Sequence, residues 1–332
     1  MKKLKIALIL LLTVSLVAAA FSGCGMEPPS TADNESESSS SDTSQQPEAS
    51  SEEAASASTS SARPFKPAGI PEETGTIVEE NEDAVIDYSN TEEGYVMVDY
   101  IHPTENRLKI QVVGPQTTYN YDLQEDVWTT FPLSDGDGEY KVTVYESRAD
   151  GKYTTVLSAF FDVVLESEFA PFLHSNQYVN YAEAKDTMSK TAELTAGASD
   201  TLEIVANIYN FVTDNLVYDT QKAANIQSGY LPVLDEVLGS KKAICFDYAS
   251  LMAGMLRSCE IPCKLVVGYS GDTYHAWVNV WCDESGWVDE VIFFDGQSWQ
   301  LMDPTFDSAN DGNAAAMQYI GNGDNYVAQY QY

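Results

Sequence analysis

Apolar and polar positions alternate with a period of two along Tyr95–Tyr100, Arg107–Val113 and Tyr140–Tyr145, and these runs are rich in β-branched and aromatic side chains. That pattern predicts strands with one face in a core. Thr154–Leu165 reads as a further strand, and Asp135-Gly136-Asp137-Gly138 and Asp150-Gly151 read as hairpin turns between strands. Short strands with turn signals at this spacing predict an all-β sandwich of about 85 residues, spanning 84–167.

Around Ser167–Pro171 the pattern changes, and past residue 181 helical spacing takes over. Asp200 with Glu203 three residues on reads as a capping box, followed by Leu202, Val205, Ile208, Tyr209 and Val212 on one helical face. Tyr248, Leu251, Met252, Met255 and Leu256 mark a second helix, which Ile261-Pro262 stops. The strand Lys264–Tyr269 follows, then His275–Trp281, with Ala276, Val278 and Val280 on one face and His275, Trp277, Asn279 and Trp281 on the other. Val291–Phe294 and Ser298–Met302 read as a hairpin around Asp295-Gly296. The second half, 168–332, is therefore α+β, with helices first and an antiparallel sheet after. About 250 residues past the N-terminal segments suit two domains.

Ahead of the strands the chain changes character. Met1-Lys2-Lys3-Leu4-Lys5 precedes an apolar run from Ile6 to Ala20 and then Phe21-Ser22-Gly23-Cys24, which predicts an export signal over 1–23 rather than a spanning helix. Small residues before Cys24 resemble the lipobox of bacterial lipoproteins, with Phe21 where that pattern prefers Leu. The resemblance implies cleavage before Cys24, a diacylglycerol on its thiol, and a protein held outside the cytoplasm at the membrane surface. Residues 24–83 are rich in Ser, Thr, Glu, Ala and Pro, as in Ser38–Ser41 and Ser50-Ser51-Glu52-Glu53. Such a segment has too little apolar area to offset its ordering entropy and is expected to be a disordered tether. As a flexible coil it spans roughly 40–45 Å, and at full extension about 200 Å.

Charge narrows the partners. The formal net charge is −34, and beyond residue 83 there are 37 acidic against 12 basic residues, a balance of −25. This argues against nucleic acid and against an anionic lipid surface, leaving the N-terminal lipid as the expected membrane contact. Past Cys24 the cysteines are Cys245, Cys259, Cys263 and Cys282. A disulfide among the last three would leave Cys245 free, but each of the three suits equally a small buried apolar site. No histidine stands at ligand spacing near them.

The chemistry concentrates in Cys245, His275 and Asp303. Cys245 opens a helical pattern, where unpaired N–H groups and the helix dipole favour an anion and can face a developing oxyanion. His275 opens a strand after the loop Ser270–Tyr274, and Asp303 follows the strand ending at Met302. If those strands pair, an imidazole and the carboxylate that orients it meet in front of the thiol, as a nucleophile, base and orienter require. Tyr218 and Trp277 are candidates for a side-chain oxyanion donor. His102, before Pro103, reads as structural or solvated, and His174 lies between the two halves without an evident partner.

From Ile208 to Asp307 the chain resembles the core of the transglutaminase-like superfamily, whose fold is related to papain-like cysteine proteases. The matching residues are Tyr209-Asn210-Phe211-Val212 with Tyr218, then Cys245-Phe246-Asp247-Tyr248-Ala249. They continue with Leu256-Arg257, Ile261-Pro262, Val267-Gly268-Tyr269, His275-Ala276-Trp277-Val278 and Met302-Asp303-Pro304-Thr305. The resemblance implies Cys245 as nucleophile, His275 as general base and acid, Asp303 as orienter, protein or peptide amides as substrates, and no cofactor or metal. Calcium dependence, present in animal members, has no dedicated loop here. The tail from Tyr319 to Tyr332 is similar to surface lipoproteins of this kind from Gram-positive bacteria, which implies a cell surface and a wall-associated substrate. Hydrolysis and acyl transfer to an amine share all these residues. A surface binding module with vestigial catalysis is the third reading. One departure stands out: the family carries Gly two residues before the cysteine, and this chain has Ala243, which would be strained by about 1 kcal/mol if that position needs φ > 0.

Overall fold

The computed structural model describes residues 65–288, 292–310 and 314–332. The export segment 1–23, Cys24, the tether up to residue 64, and Val291 of the expected hairpin lie outside the described residues.

Two antiparallel four-stranded sheets make up the first half. β1 (Val78–Glu80), β2 (Ala84–Asp87), β3 (Tyr95–Tyr100) and β6 (Thr129–Pro132) form one in the order β1-β2-β3-β6. β4 (Leu108–Val113), β5 (Thr118–Leu123), β7 (Gly138–Ser147) and β8 (Tyr153–Val163) form the other in the order β5-β4-β7-β8. The period of two is plain in β4, where Leu108, Ile110 and Val112 are buried and Lys109, Gln111 and Val113 are half-exposed. β3 is instead buried at every position, because it lies between β2 and β6 and is covered on both faces. Asp150-Gly151 turns the β7–β8 hairpin as expected. Asp135–Gly138, read as a hairpin turn, carries the chain from β6 in one sheet to β7 in the other; its glycines take the positive φ that a sharp crossing needs.

The expected tether boundary at residue 83 needs correction. β1 pairs with β2 from Val78 opposite Asp87 to Glu80 opposite Val85. Gly75 donates its N–H to Asp87 Oδ2 at 2.7 Å, and Ala68 donates to the Ser258 carbonyl at 3.0 Å. Composition is blind to this, because later residues supply the partners that this polar stretch lacks itself.

The second half begins with α1 (Lys185–Thr195) and α2 (Thr201–Asn215). A short parallel pair, β9 (Val217–Tyr218) with β10 (Lys242–Ala243), brackets α3 (Thr220–Asn225) and α4 (Leu234–Ser240). α5 (Cys245–Arg257) follows and is buried from Asp247 to Arg257. Ala249, Ala253 and Gly254 let its neighbours approach on every side, so that a Cβ on Gly254 would sit 2.8 Å from Leu234 Cδ1. β11 (Cys263–Ser270), β12 (Thr273–Cys282), β15 (Ser298–Met302) and β16 (Tyr326–Gln331) form an antiparallel sheet ordered β15-β12-β11-β16. α6 (Pro304–Ala309) and α7 (Ala314–Ile320) fill the connection to β16.

The expected hairpin between Val291–Phe294 and Ser298–Met302 does not form. β14 (Ile292–Asp295) pairs with β13 (Ser285–Val288), while β15 pairs with β12. The turn at Asp295-Gly296 was legible, but the strand after it finds its ladder on an earlier partner. The fold is α+β, and one apolar cluster runs from Ile86, Ile110 and Phe131 in the sheets through Tyr181 to Met252 and Val278. At its centre lies Arg257, fully buried, whose guanidinium donates to the carbonyls of Cys263 and His174 at 2.8 Å and to that of Tyr332.

Candidate active site

Cys245 is the first residue of α5, preceded by Ile244 in extended conformation. Ile244 has no side-chain acceptor for a cap, so the helix start depends on Asp247. That carboxylate is fully buried and accepts the Ile244 N–H at 2.9 Å through Oδ2. It also accepts Lys222 Nζ and the Tyr230 hydroxyl, each at 2.6 Å. An anion at the first turn faces the positive end of the helix, so this capping complements the dipole. The first-turn N–H groups beside Cys245 have no intrahelical acceptor and are free to face an anion.

The doubt over Ala243 resolves in its favour. Ala243 is buried in β10, where Asp219 N–H reaches its carbonyl at 2.8 Å. The left-handed conformation falls two residues earlier, on Lys241 (φ 55), which ends α4. Any backbone strain therefore sits on Lys241 and not beside the thiol. The β9–β10 pairing also sets Tyr218 against Ala243 and so beside Cys245.

His275 lies third in β12, because the β11–β12 turn closes on Gly271 and Asp272 alone and is shorter than the expected five-residue loop. β12 pairs with β15, Val278 opposite Met302, which brings His275 and Asp303 to the same end of the sheet. His275 Nε2 is 2.8 Å from Asp303 Oδ2. Asp303 is fully buried and doubles as the N-cap of α6, accepting Phe306 N–H at 3.0 Å through Oδ1. The Tyr326 hydroxyl donates to Oδ2 at 2.9 Å. Three donors thus fix one carboxylate, which in turn fixes the ring and leaves Nδ1 for the thiol. Burial alone would lower the imidazole pKa. The hydrogen bond to Asp303, the neighbouring Cys245 sulfur and the charges of both outweigh it and raise it to about 10. Burial and the Asp303 charge push the Tyr326 hydroxyl above the tyrosine range, so it remains a donor.

Cys245, His275 and Tyr218 line one cavity of about 500 Å³, within the range of small-molecule and peptide side-chain sites. Trp277, the other oxyanion candidate, is buried beneath His275 and packs edge-on to Tyr326 at 5.1 Å; it does not line that cavity. Among the described residues the other cysteines are free thiols, Cys263 and Cys282 buried and Cys259 partly so. Burial raises the pKa of Cys259 to about 11 and that of Cys263 to about 12, so neither is a nucleophile near neutral pH. His174 is tied to the Ala170 carbonyl at 3.0 Å and lies 3.4 Å from Glu93, and exposed His102 sits 3.1 Å from Asp83. Sequence reasoning missed Lys222, Tyr230 and Tyr326, whose partners are distant in the chain. Asp247 was missed too; the signal that could have found it is its place at N3 of a helix lacking a side-chain N-cap.

Residues 189–304 match the model of the transglutaminase-like superfamily. The matched segment is similar to that family. It contains Cys245, His275 and Asp303 and ends at Pro304, one residue past the carboxylate. Over 99 residues, 26% of this chain, the sequence is 28% identical to a protein-glutamine gamma-glutamyltransferase of Pseudomonas aeruginosa, and the match spans only 14% of that protein's length. Among solved structures, a provisionally assigned cysteine protease from Cytophaga hutchinsonii is similar at 13% identity and a TM-score of 0.37, over 72% of this chain and 76% of that one. Red sea bream transglutaminase is similar at 13% identity and a TM-score of 0.29, over 66% of this chain and 49% of that one. Among the described residues, no helix is long and apolar enough to cross a membrane.

Proposed function

We propose that the chain is a cysteine-nucleophile enzyme acting on protein or peptide amides through a thioester. The observation that carries this reading is a cysteine at the start of a buried helix, beside an imidazole whose far nitrogen is bonded to a buried carboxylate. The Cys245 sulfur attacks the amide carbonyl carbon while first-turn N–H groups take up the oxyanion. The C–N bond then breaks, His275 protonates the leaving amine, and Asp303 holds the ring through both transfers. Water or a second amine next attacks the thioester, gives its proton to His275, and expels the thiolate. The name of the Pseudomonas relative favours glutamine side-chain amides as donors and an amine as acceptor. We further propose attachment outside the cytoplasm through a lipid on Cys24, with a wall-associated protein as substrate.

Competitive labelling with iodoacetamide tests the nucleophile. Cys245 is expected to react faster than every other thiol, with the fast phase absent in Cys245→Ala and at least tenfold slower in His275→Ala. Labelling of Cys245 at the rate of Cys259 would end the enzyme reading. Mass spectrometry of surface proteins, with and without the active chain, then separates cleaved peptides from isopeptide cross-links. Loss of membrane association in Cys24→Ala tests the anchor.

A further inference from the structure

The loop joining α3 to α4 has no part in the chemistry above, yet six consecutive residues of it, Ile226–Leu231, line the cavity that holds Cys245 and His275. Lys109, Asn120 and Asp122, from β4 and β5 of the N-terminal half, line the same cavity. The loop is fastened at one point and closely packed at a second. At the first, the Tyr230 hydroxyl donates to Asp247 Oδ1, and Lys222 Nζ lies 2.6 Å both from that hydroxyl and from Asp247 Oδ2. The carboxylate that fastens the loop is therefore the one that caps the helix of the thiol. At the second, Gly229 (φ +88) lies so close to β5 that a Cβ there would sit 2.7 Å from Asp122 Oδ2. Asp122 is itself held by Lys109 at 2.7 Å and Arg107 at 3.2 Å, and its carbonyl accepts Gln177 Nε2 at 2.6 Å.

We propose that Tyr230 is a positioning residue that straps the 226–231 loop between the nucleophile's helix and the N-terminal sheet, so that an extended peptide amide is gripped between strap and sheet. The proposal rests on Cys245 being the nucleophile. It makes the first-half sheet part of the substrate site, with Lys109 and Asn120 facing the portion of the peptide away from the scissile bond. Removal of the Tyr230 hydroxyl leaves Asp247 Oδ2 with Lys222 and the Ile244 N–H, so the cap on the thiol's helix persists while Oδ1 loses its donor. Only the strap loosens, and the cost falls on substrate binding rather than on the chemical step.

The test compares full-length Tyr230→Phe and Gly229→Ala with the unaltered chain. Iodoacetamide is small enough to need only the thiol and imidazole, and its rate at Cys245 is expected to stay within about twofold of the unaltered chain. The blocked dipeptide carbobenzoxy-Gln-Gly and a longer glutamine-containing peptide protect the thiol. The concentration for half-protection is expected to rise about tenfold in Tyr230→Phe, the weight of one lost hydrogen bond, and to rise in Gly229→Ala because the added Cβ would meet Asp122 and displace the strap. Amide exchange in 226–231 is expected to quicken while the first turn of α5 is unchanged. The double variant should be less than additive, because a strap freed at one end has little left to lose at the other. Unchanged exchange in the loop, or unchanged half-protection with a reactive thiol, overturns the proposal. A Cys245 no more reactive than Cys259 overturns the nucleophile reading instead, a result distinct from a reactive thiol whose protection ignores the strap.

Discussion

Replacing Arg257 by Met tests whether a fully buried guanidinium holds the second half of the chain together. The guanidinium is fully buried, and burial pulls its pKa down. Two effects oppose each other. Met removes the standing cost of desolvating a charge, several kcal/mol. It also removes three charged hydrogen bonds, each contributing about 1.5–3 kcal/mol, and leaves carbonyls buried without that donor. The Tyr332 carbonyl keeps the Leu265 N–H at 3.0 Å and loses least. The carbonyls of Cys263 and His174 lose a donor at 2.8 Å. The hydrogen bonds outweigh the relief, for a net destabilisation of about 3 kcal/mol, or a fall in Tm of roughly 6–12 °C for a body of this size. Differential scanning calorimetry of the full chain measures the fall, and amide exchange should show β16 protected less than β12. Arg257→Lys, which keeps the charge but not the fork, should fall between. A Tm within 2 °C of the unaltered protein in Arg257→Met would refute the reasoning, since desolvation would then balance all three bonds.

Other expectations concern the site. His275 has a pKa raised to about 10 from an ordinary 6.5, so the stability from its protonated form is complete below about pH 6.5 and is lost as pH rises through about 10; thermal melts from pH 6 to 11 should show the loss, and His275→Gln should flatten it. Asp303→Asn should lower kcat by about a thousandfold or more, because the ring loses its orienting acceptor, and the NMR titration of His275 should move to lower pH; an unmoved titration would count against the geometry. Gly268 pairs with His275 across β11 and β12, and a Cβ there would lie 2.1 Å from the Val327 carbonyl oxygen; Gly268→Ala should therefore push β16 away, withdraw Tyr326 from Asp303 and slow Cys245 alkylation more than tenfold, whereas a normal rate would show that β16 does not support the triad.

Local signals carried much of the fold. α2 begins where Asp200 caps it by accepting Glu203 N–H at 2.9 Å, although the Glu203 side chain reaches back to Ser199 rather than to the cap residue. The apolar stripe of α5 was legible from Tyr248 to Leu256, as were Cys245 at its start and the strand of His275. Pairing was less legible, because nothing in Ile292–Asp295 distinguishes β13 from β15 as its neighbour. β16 escaped notice because its side chains from Val327 to Gln329 are exposed, so no alternating apolar run marks it; Tyr326 packs on Trp277 and Tyr330 against the main core only once β16 has joined β11. The Lys222–Tyr230–Asp247 cluster and the contribution of β4 and β5 to the cavity are long-range facts. They depend on which elements meet, and charge or periodicity within one segment does not encode that.

The place of β16 in the sheet gives the site a clock. A ribosome adds residues in order, so when Cys245 is added about 80 residues remain before Tyr326, roughly four to sixteen seconds of synthesis. Through that interval β11 lacks its outer neighbour, Arg257 lacks the Tyr332 carbonyl, and Asp303, once made, lacks the tyrosine that helps aim it. A nascent chain therefore carries the thiol without the frame that arms it. On the proposed reading, acyl chemistry waits until β16 closes against β11.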